Sequence, residues 1–273
     1  MKGTGAVKGS PQVTKNFETI LGLNLATLVR ALRFGPQGLG YLSRTSYAAI
    51  APFVTRADKE LQEDFNAIPG VTVESVLGDR KPEVKLRVMK YEDGMAPFQD
   101  AIALLSILVA EDPTQVLEIG TYMGHTTRAM AENLPQAVIH TIDLPPDFSA
   151  ETTSAEQLPK DDFHLIGRRV VGREFKGRPC EKRIMQHFGD TVDMDFDKVG
   201  QPTFFFIDGS HTYEYCRNDS EKCLALCPRG GTFLWHDCDL AHPGVIRLIA
   251  EWRSAGRNII RLDGTNIAYW KSV

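Results

Sequence analysis

The stretch VLEIGTYMGHTT, residues 116–127, decides how the chain is read. An apolar run ends on an acid, Glu118. Gly120 follows, and Gly124 opens a helical segment, HTTRAMAENL (125–134). Strand, glycine turn and helix in that order begin a βαβ unit. The turn is not the dinucleotide fingerprint. G-x-G-x-x-G needs its second glycine so that backbone can approach a pyrophosphate. Tyr122 stands there and blocks that approach. The spacing E-x-G-x-x-x-G suits a ligand that has no pyrophosphate.

Outward from that turn, short apolar runs alternate with helical segments. A helix over 96–112 precedes the first strand, QVLEIG (115–120), and stops at Pro113. Further strands are expected at AVIHTID (137–143), KRIMQHFGD (182–190), TFFFID (203–208) and GTFLWHD (231–237). Helices are expected at about 213–227 and 245–256. The final pair, NIIRLD and NIAYWKS, is split by Gly264 and must be antiparallel, because a parallel pair needs a longer crossover. The expected fold is α/β, a doubly wound Rossmann-like sheet over residues 96–273, with a polar insertion at about 144–180. Residues 1–95 read as a tail and a helical extension, a lid or an oligomer contact. In it, residues 16–35 form a basic amphipathic helix, 56–67 a second helix, and VTVESVL (71–77) an extended segment.

Composition sets outer limits. With 273 residues, 42% hydrophobic and 24% charged, the chain has enough apolar content for a large core. Its net charge of −4 argues against a nucleic-acid binder. Residues 1–60 carry eight Lys/Arg against three acids, so the rest of the chain is strongly acidic. The basic arm could meet an anionic partner or a membrane surface, or be a solvated helix face. The five cysteines include no CxxC pair. That removes zinc-ribbon and thioredoxin readings and suits a reduced, cytoplasmic protein. No signal peptide and no membrane span are expected.

Ligands of open parallel sheets bind at the carboxyl ends of the strands. Those ends read Glu118, Asp143, Gly189-Asp190, Asp208 and His236-Asp237. Unpaired buried carboxylates are costly, so a row of them implies ligand hydroxyls, amines or a metal. Asp143, 25 residues after Glu118 at the next strand end, stands where a carboxylate grips both ribose hydroxyls. A nucleoside without phosphates points to S-adenosylmethionine.

At this point the chain resembles a class I S-adenosylmethionine-dependent methyltransferase of the small-molecule O-methyltransferase type. The matching stretches are VLEIGTYMGHTT, HTIDLPP (140–146), FGD (188–190), FFFIDGSHTYEYCRND (204–219), GGTFLWHD (230–237) and HPGV (242–245). The resemblance implies a seven-stranded sheet with one antiparallel strand. It places Glu118, Gly120 and Gly124 at the methionine end of the cofactor, with Thr126 reaching the methionine carboxylate. Asp143 would hold the ribose, Gly189 and Asp190 would border the adenine, and Asp208 would lie beside the transferable methyl. Thr121, Tyr122 and Leu144 count among the cofactor-binding positions.

A hydroxyl acceptor needs a general base or a metal. One device is a Mg²⁺ or Mn²⁺ ion on Asp208, Asp237 and His236. The metal-dependent relatives place acids at these strand ends, and His236 and Cys238 depart from that pattern. The other device is His211 or His236 as the base, next to Asp208. The expected acceptor is a small hydroxylated molecule, a sugar or a natural-product intermediate. No Asn/Asp-Pro-Pro-Tyr/Phe motif of amino-methylating enzymes follows the fourth strand. A homo-oligomer through the N-terminal helices is also expected. The alternatives are a nicotinamide-dependent dehydrogenase, against which the missing fingerprint argues, a metal-dependent hydrolase at the same strand ends, and a non-catalytic binding module of this fold.

Overall fold

A computed structural model describes residues 59–86, 94–148 and 169–272. All of them belong to one compact unit. The basic helix expected at 16–35, and residues 149–168 of the expected insertion, lie outside the described residues.

The strands are β1 (Gly70–Val71), β2 (Gln115–Ile119), β3 (Val138–Asp143), β4 (Ile184–Phe188), β5 (Phe204–Ile207), β6 (Thr232–Trp235), β7 (Ile260–Leu262) and β8 (Ala268–Lys271). The α-helices are α1 (Lys59–Ala67), α2 (Val73–Leu77), α3 (Phe98–Glu111), α4 (His125–Asn133), α5 (Tyr213–Leu226) and α6 (Pro243–Ser254). One sheet runs β1-β7-β8-β6-β5-β2-β3-β4. Every pairing is parallel except those of β8, which runs antiparallel to both β6 and β7.

The sheet therefore has eight strands, where the sequence leads one to expect seven. The extra one is β1, whose backbone locks onto the closing hairpin. The Arg261 N–H donates to the Pro69 carbonyl at 2.8 Å, and the Asp263 N–H to the Val71 carbonyl at 3.0 Å. The extended segment expected over 71–77 is correspondingly shorter. Thr72 caps a helix there instead, its hydroxyl accepting from the Ser75 N–H at 3.2 Å.

The central strands explain their own sequence. All four residues of β5, Phe204 to Ile207, are buried, as in a parallel strand covered on both faces. Phe205 and Ile207 join Phe233 and Trp235 in a core completed by Cys216 and Cys223 of α5 and Leu248, Ile249 and Trp252 of α6. Phe204, Phe206 and Leu234 face the other way, onto Leu104, Leu105 and Leu108 of α3 and Met130 of α4. The sheet is thus wound on both faces. Its ligand end is the row of loops after β2, β3, β4, β5 and β6.

Candidate active site

Gly120 brings the first two strand ends together. Its φ is +98°, and a Cβ there would stand 2.0 Å from the Asp208 carbonyl oxygen. Only glycine lets the turn after β2 lie so close to the end of β5. Tyr122, also left-handed at φ 49°, turns its N–H onto Asp143 Oδ2 at 2.6 Å. Gly124 starts α4 at φ 85°, where a Cβ would meet Phe175. The far end of the expected insertion closes over this turn. The Gly172 N–H donates to the Tyr122 carbonyl at 3.0 Å and the Glu174 N–H to the Met123 carbonyl at 2.9 Å.

Glu118 is fully buried beneath the turn. Its Oε2 accepts from the hydroxyls of Thr127 and, at 2.6 Å, Thr141, while Oε1 is buried with no partner. Burial pushes its carboxyl up to about 8, against those two hydrogen bonds and with help from nearby Asp208 and Asp143. Thr121 extends the chain of hydroxyls, 2.6 Å from Thr141 Oγ1, and accepts from Gln186. Thr126 stands half-buried in the first turn of α4, next to the Thr127 that bonds Glu118.

Asp143 ends β3 and faces Arg169, whose Nη2 lies 3.0 Å from Oδ1 and also donates to the Leu144 carbonyl at 3.0 Å. Burial raises the Asp143 carboxyl, and Arg169 opposes that rise. After β4, the Gly189 N–H donates to the Asp143 carbonyl at 3.0 Å. Asp190 accepts from the Tyr215 hydroxyl at 2.9 Å and the Val192 N–H at 3.0 Å, so both its oxygens are engaged.

At the β5 and β6 ends, histidines and acids interleave. His236 is 5% exposed. Its Nδ1 lies 2.9 Å from Asp208 Oδ1 and 3.3 Å from Asp237 Oδ2, and its Nε2 lies 3.0 Å from Asp100 Oδ2. A carboxylate thus faces each ring nitrogen, an arrangement that favours the protonated ring. Burial works against that charge, but the Asp208 and Asp237 carboxylates overcome it and hold the ring well above the ordinary histidine range. Asp237, left-handed at φ 55°, also faces His211 Nε2 at 2.8 Å. Its carboxyl is buried, which alone would raise it, yet His236 and His211 hold it well below the usual range. His242 Nδ1 pairs with Asp239 at 2.9 Å, and its ring lies 4.5 Å from that of His211.

Asp208, His236 and Asp237 form one group of closely spaced ligand-type atoms, and His211, Asp237 and His242 form another. The first fits a divalent cation: Nδ1 of a neutral His236 would join the two carboxylates while Nε2–H donates to Asp100, the usual arrangement of a metal-bound histidine. Neighbouring Cys238 offers no thiolate, since burial pushes its thiol up to about 12.

The chain order marks Glu118, Asp143, Asp208, Asp237, His211 and His236, and the fold gathers all six at one sheet end. It does not mark Thr127, Thr141, Arg169 or Asp100. Of these, Asp100 on α3 has a readable signal. It is a lone acid directly before the apolar run AIALL, and it is buried to 2% exposure.

Residues 117–238 match a family model described as a methyltransferase domain. No curated protein matches the chain. Among solved structures, a putative caffeoyl-CoA O-methyltransferase from Staphylococcus aureus is similar at 12% identity, with a TM-score of 0.47 over 65% of this chain and 84% of that one. The O-methyltransferase TomG from Streptomyces achromogenes, in complex with SAM, matches at 16% identity and a TM-score of 0.42 over 84% and 96%. An O-methyltransferase from Bacillus cereus, in complex with SAH, matches at 15% and 0.42 over 82% and 95%. The stretch that matches the family model spans the glycine turn, Asp143, Asp190, Asp208 and Asp237.

Proposed function

We propose that the protein moves a methyl group from S-adenosylmethionine to a hydroxyl of a small molecule, a sugar or a natural-product intermediate. The observation that carries this reading is Glu118: a fully buried carboxyl with one oxygen lacking a partner, under a glycine turn clamped to Asp143. An orphaned buried carboxyl oxygen of this kind calls for a ligand partner. The residues present therefore fit an adenosyl cofactor. Glu118, Gly120, Thr121, Gly124 and Thr126 would hold its methionine end. Asp143, with Tyr122 and Leu144, would hold the ribose. Asp190 is already bonded on both oxygens, so it and Gly189 would shape the adenine edge.

When bound, S-adenosylmethionine supplies a methyl group already activated by the sulfonium. The chain's task is to align an acceptor oxygen and remove its proton. Alignment contributes up to about 7–11 kcal/mol. Asp208, at the end of the central strand, orients the acceptor hydroxyl. His211 is the base: its Nε2 faces Asp237, which makes Nδ1 the proton-accepting atom and leaves Asp237 to stabilise the charge the ring gains. His236 has a carboxylate against each nitrogen, Asp208 on one side and Asp100 on the other, and holds Asp208 and Asp237 in place. A divalent ion, when bound, would be held by Asp208, Asp237 and His236 and would supply a Lewis acid for the acceptor oxygen.

The five cysteines are buried free thiols, which supports a cytoplasmic setting. No described helix is long and apolar enough to cross a membrane. The apolar face read at 16–35 supports a homo-oligomer.

The reading is tested by calorimetric titration with S-adenosylhomocysteine. The wild type should bind at one site with micromolar affinity, and Asp143→Ala should bind at least tenfold more weakly. A folded wild type that does not bind would sink the proposal. With methyl-labelled S-adenosylmethionine and a panel of small acceptors, label should appear as a methyl ether. Label found only on nitrogen would overturn the oxygen assignment.

A further inference from the structure

We infer that Arg169, near the end of the insertion, is a cofactor-binding residue whose Nε and Nη1 donate to the ribose hydroxyls of an adenosyl group seated on Asp143. The support lies in how this side chain is buried. It is 4% exposed, so almost all of it is shielded from water. Its Nη2 is in use, lying 3.0 Å from Asp143 Oδ1 and donating to the Leu144 carbonyl at 3.0 Å. Its Nε and Nη1 are buried and have no hydrogen-bond partner. A guanidinium carries only donors, and a buried donor left unmade costs about 1–3 kcal/mol, more when it is charged. Two such orphans on one side chain call for acceptor atoms from a ligand.

The fold fixes the place of this arginine. Asp143 Oδ2 accepts from the Tyr122 N–H at 2.6 Å, so the carboxylate is held by the glycine turn through one oxygen and by Arg169 through the other. Three residues beyond Arg169, the Gly172 N–H donates to the carbonyl of the same Tyr122 at 3.0 Å. The Glu174 N–H then donates to the Met123 carbonyl at 2.9 Å. The turn after β2, the end of β3 and the end of the insertion thus close around one carboxylate.

The chemistry of the missing partner follows, and it rests on the methyl-transfer reading. Asp143 already matches the charge of the guanidinium, so Arg169 lacks acceptor atoms rather than a counter-ion such as a phosphate. A sugar hydroxyl is the complement of this pair, because it has one proton to give and lone pairs to offer. Asp143 takes the proton's hydrogen bond and leaves the lone pairs unmet. Arg169 meets them. Each ribose hydroxyl is then bonded in both senses, and a sugar without hydroxyls leaves a buried carboxylate and a buried guanidinium with nothing to bind. That asymmetry is what makes a hydroxyl site selective.

The experiment titrates the full chain by calorimetry with S-adenosylhomocysteine and with its 2′,3′-dideoxy analogue. The wild type should prefer the natural ligand by about a hundredfold or more. Arg169→Met, its fold checked by circular dichroism, should bind S-adenosylhomocysteine about tenfold more weakly, the worth of one hydrogen bond from a charged donor. Its preference over the analogue should shrink by the same factor. Nitrogen-15 spectra of arginine-labelled wild type separate direct contact from mere support of Asp143. The Arg169 Nε–H signal, assigned by its loss in Arg169→Lys, should shift downfield with S-adenosylhomocysteine and less with the analogue. A folded Arg169→Met with an unchanged preference overturns the proposal, and so does an Arg169 signal that responds equally to both ligands. Should Arg169→Met not fold, the wild-type spectra decide. A wild type that binds S-adenosylhomocysteine without engaging Arg169 leaves the methyl-transfer reading standing, whereas one that does not bind it overturns both.

Discussion

Gly120 carries the tightest backbone approach in the site. Its absent side chain lets the β2 turn rest on the Asp208 carbonyl, and a Cβ would lie 2.0 Å from that oxygen and 2.6 Å from its carbon. Both are backbone atoms, so nothing flexible can give way. Gly120→Ala should therefore cost about 2–5 kcal/mol, combining left-handed strain with overpacking. Gly264→Ala is the control. Its φ is +78° but nothing lies within 4 Å of its Cβ position, so only the strain of about 1 kcal/mol applies. Urea unfolding of the two variants measures the difference, and equal losses would refute the close-approach argument. Gly120 is legible in the sequence because it follows an apolar run at fixed spacing. Thr127 is not: it bonds Glu118 through the phase of α4, and a shift of one position along a helix turns a side chain by about 100°. Arg169 reaches the site from a segment remote in sequence, which no local pattern encodes.

At the scale of elements, the long apolar runs are readable because burial on both sheet faces leaves a plain signature, as in Phe204 to Ile207. The two-residue β1 is not. It is a strand only because Arg261 and Leu262 lie beside it, from the far end of the chain. The start of α6 is also a matter between elements. Pro243 supplies the fixed φ of a first turn. Gly244 then passes so close to the α5 cap that a Cβ would stand 2.3 Å from the His211 carbonyl oxygen and 2.4 Å from the Tyr213 nitrogen. Gly244→Ala must push α6 away from the loop that carries His211. We expect a loss of about 1–3 kcal/mol by thermal or urea unfolding, with a changed nitrogen-15 shift of the His211 ring. An unchanged His211 signal in a destabilised variant would show that the loop is held independently of α6.

Over the whole molecule, buried acids gather near one end of the sheet, and their protonation ties stability to pH. Asp219 on α5 is 1% exposed. Burial raises its carboxyl to about 6, although Thr191, Asn218 and Lys222 favour the charged form. Its ordinary value is 3.8, so the folded protein holds a proton there that the unfolded chain has lost between about pH 4 and 6. A raised carboxyl stabilises the fold fully below the unfolded value, and that contribution fades as pH rises through the folded value. Glu118, lifted to about 8, acts in the same sense over a higher window. Asp237 acts oppositely, but its loss comes only as pH falls below the ordinary carboxylate range. The wild type should thus weaken from mildly acidic to alkaline pH. Asp219→Asn has no such proton to lose. Relative to the wild type it should gain on the order of 3 kcal/mol between pH 4 and pH 7, because a tenfold change in proton affinity is worth about 1.4 kcal/mol. Urea midpoints across that range give the difference directly. A difference that stays constant with pH would mean that Asp219 is charged in the fold at every pH tested, and that its hydrogen bonds outweigh its burial.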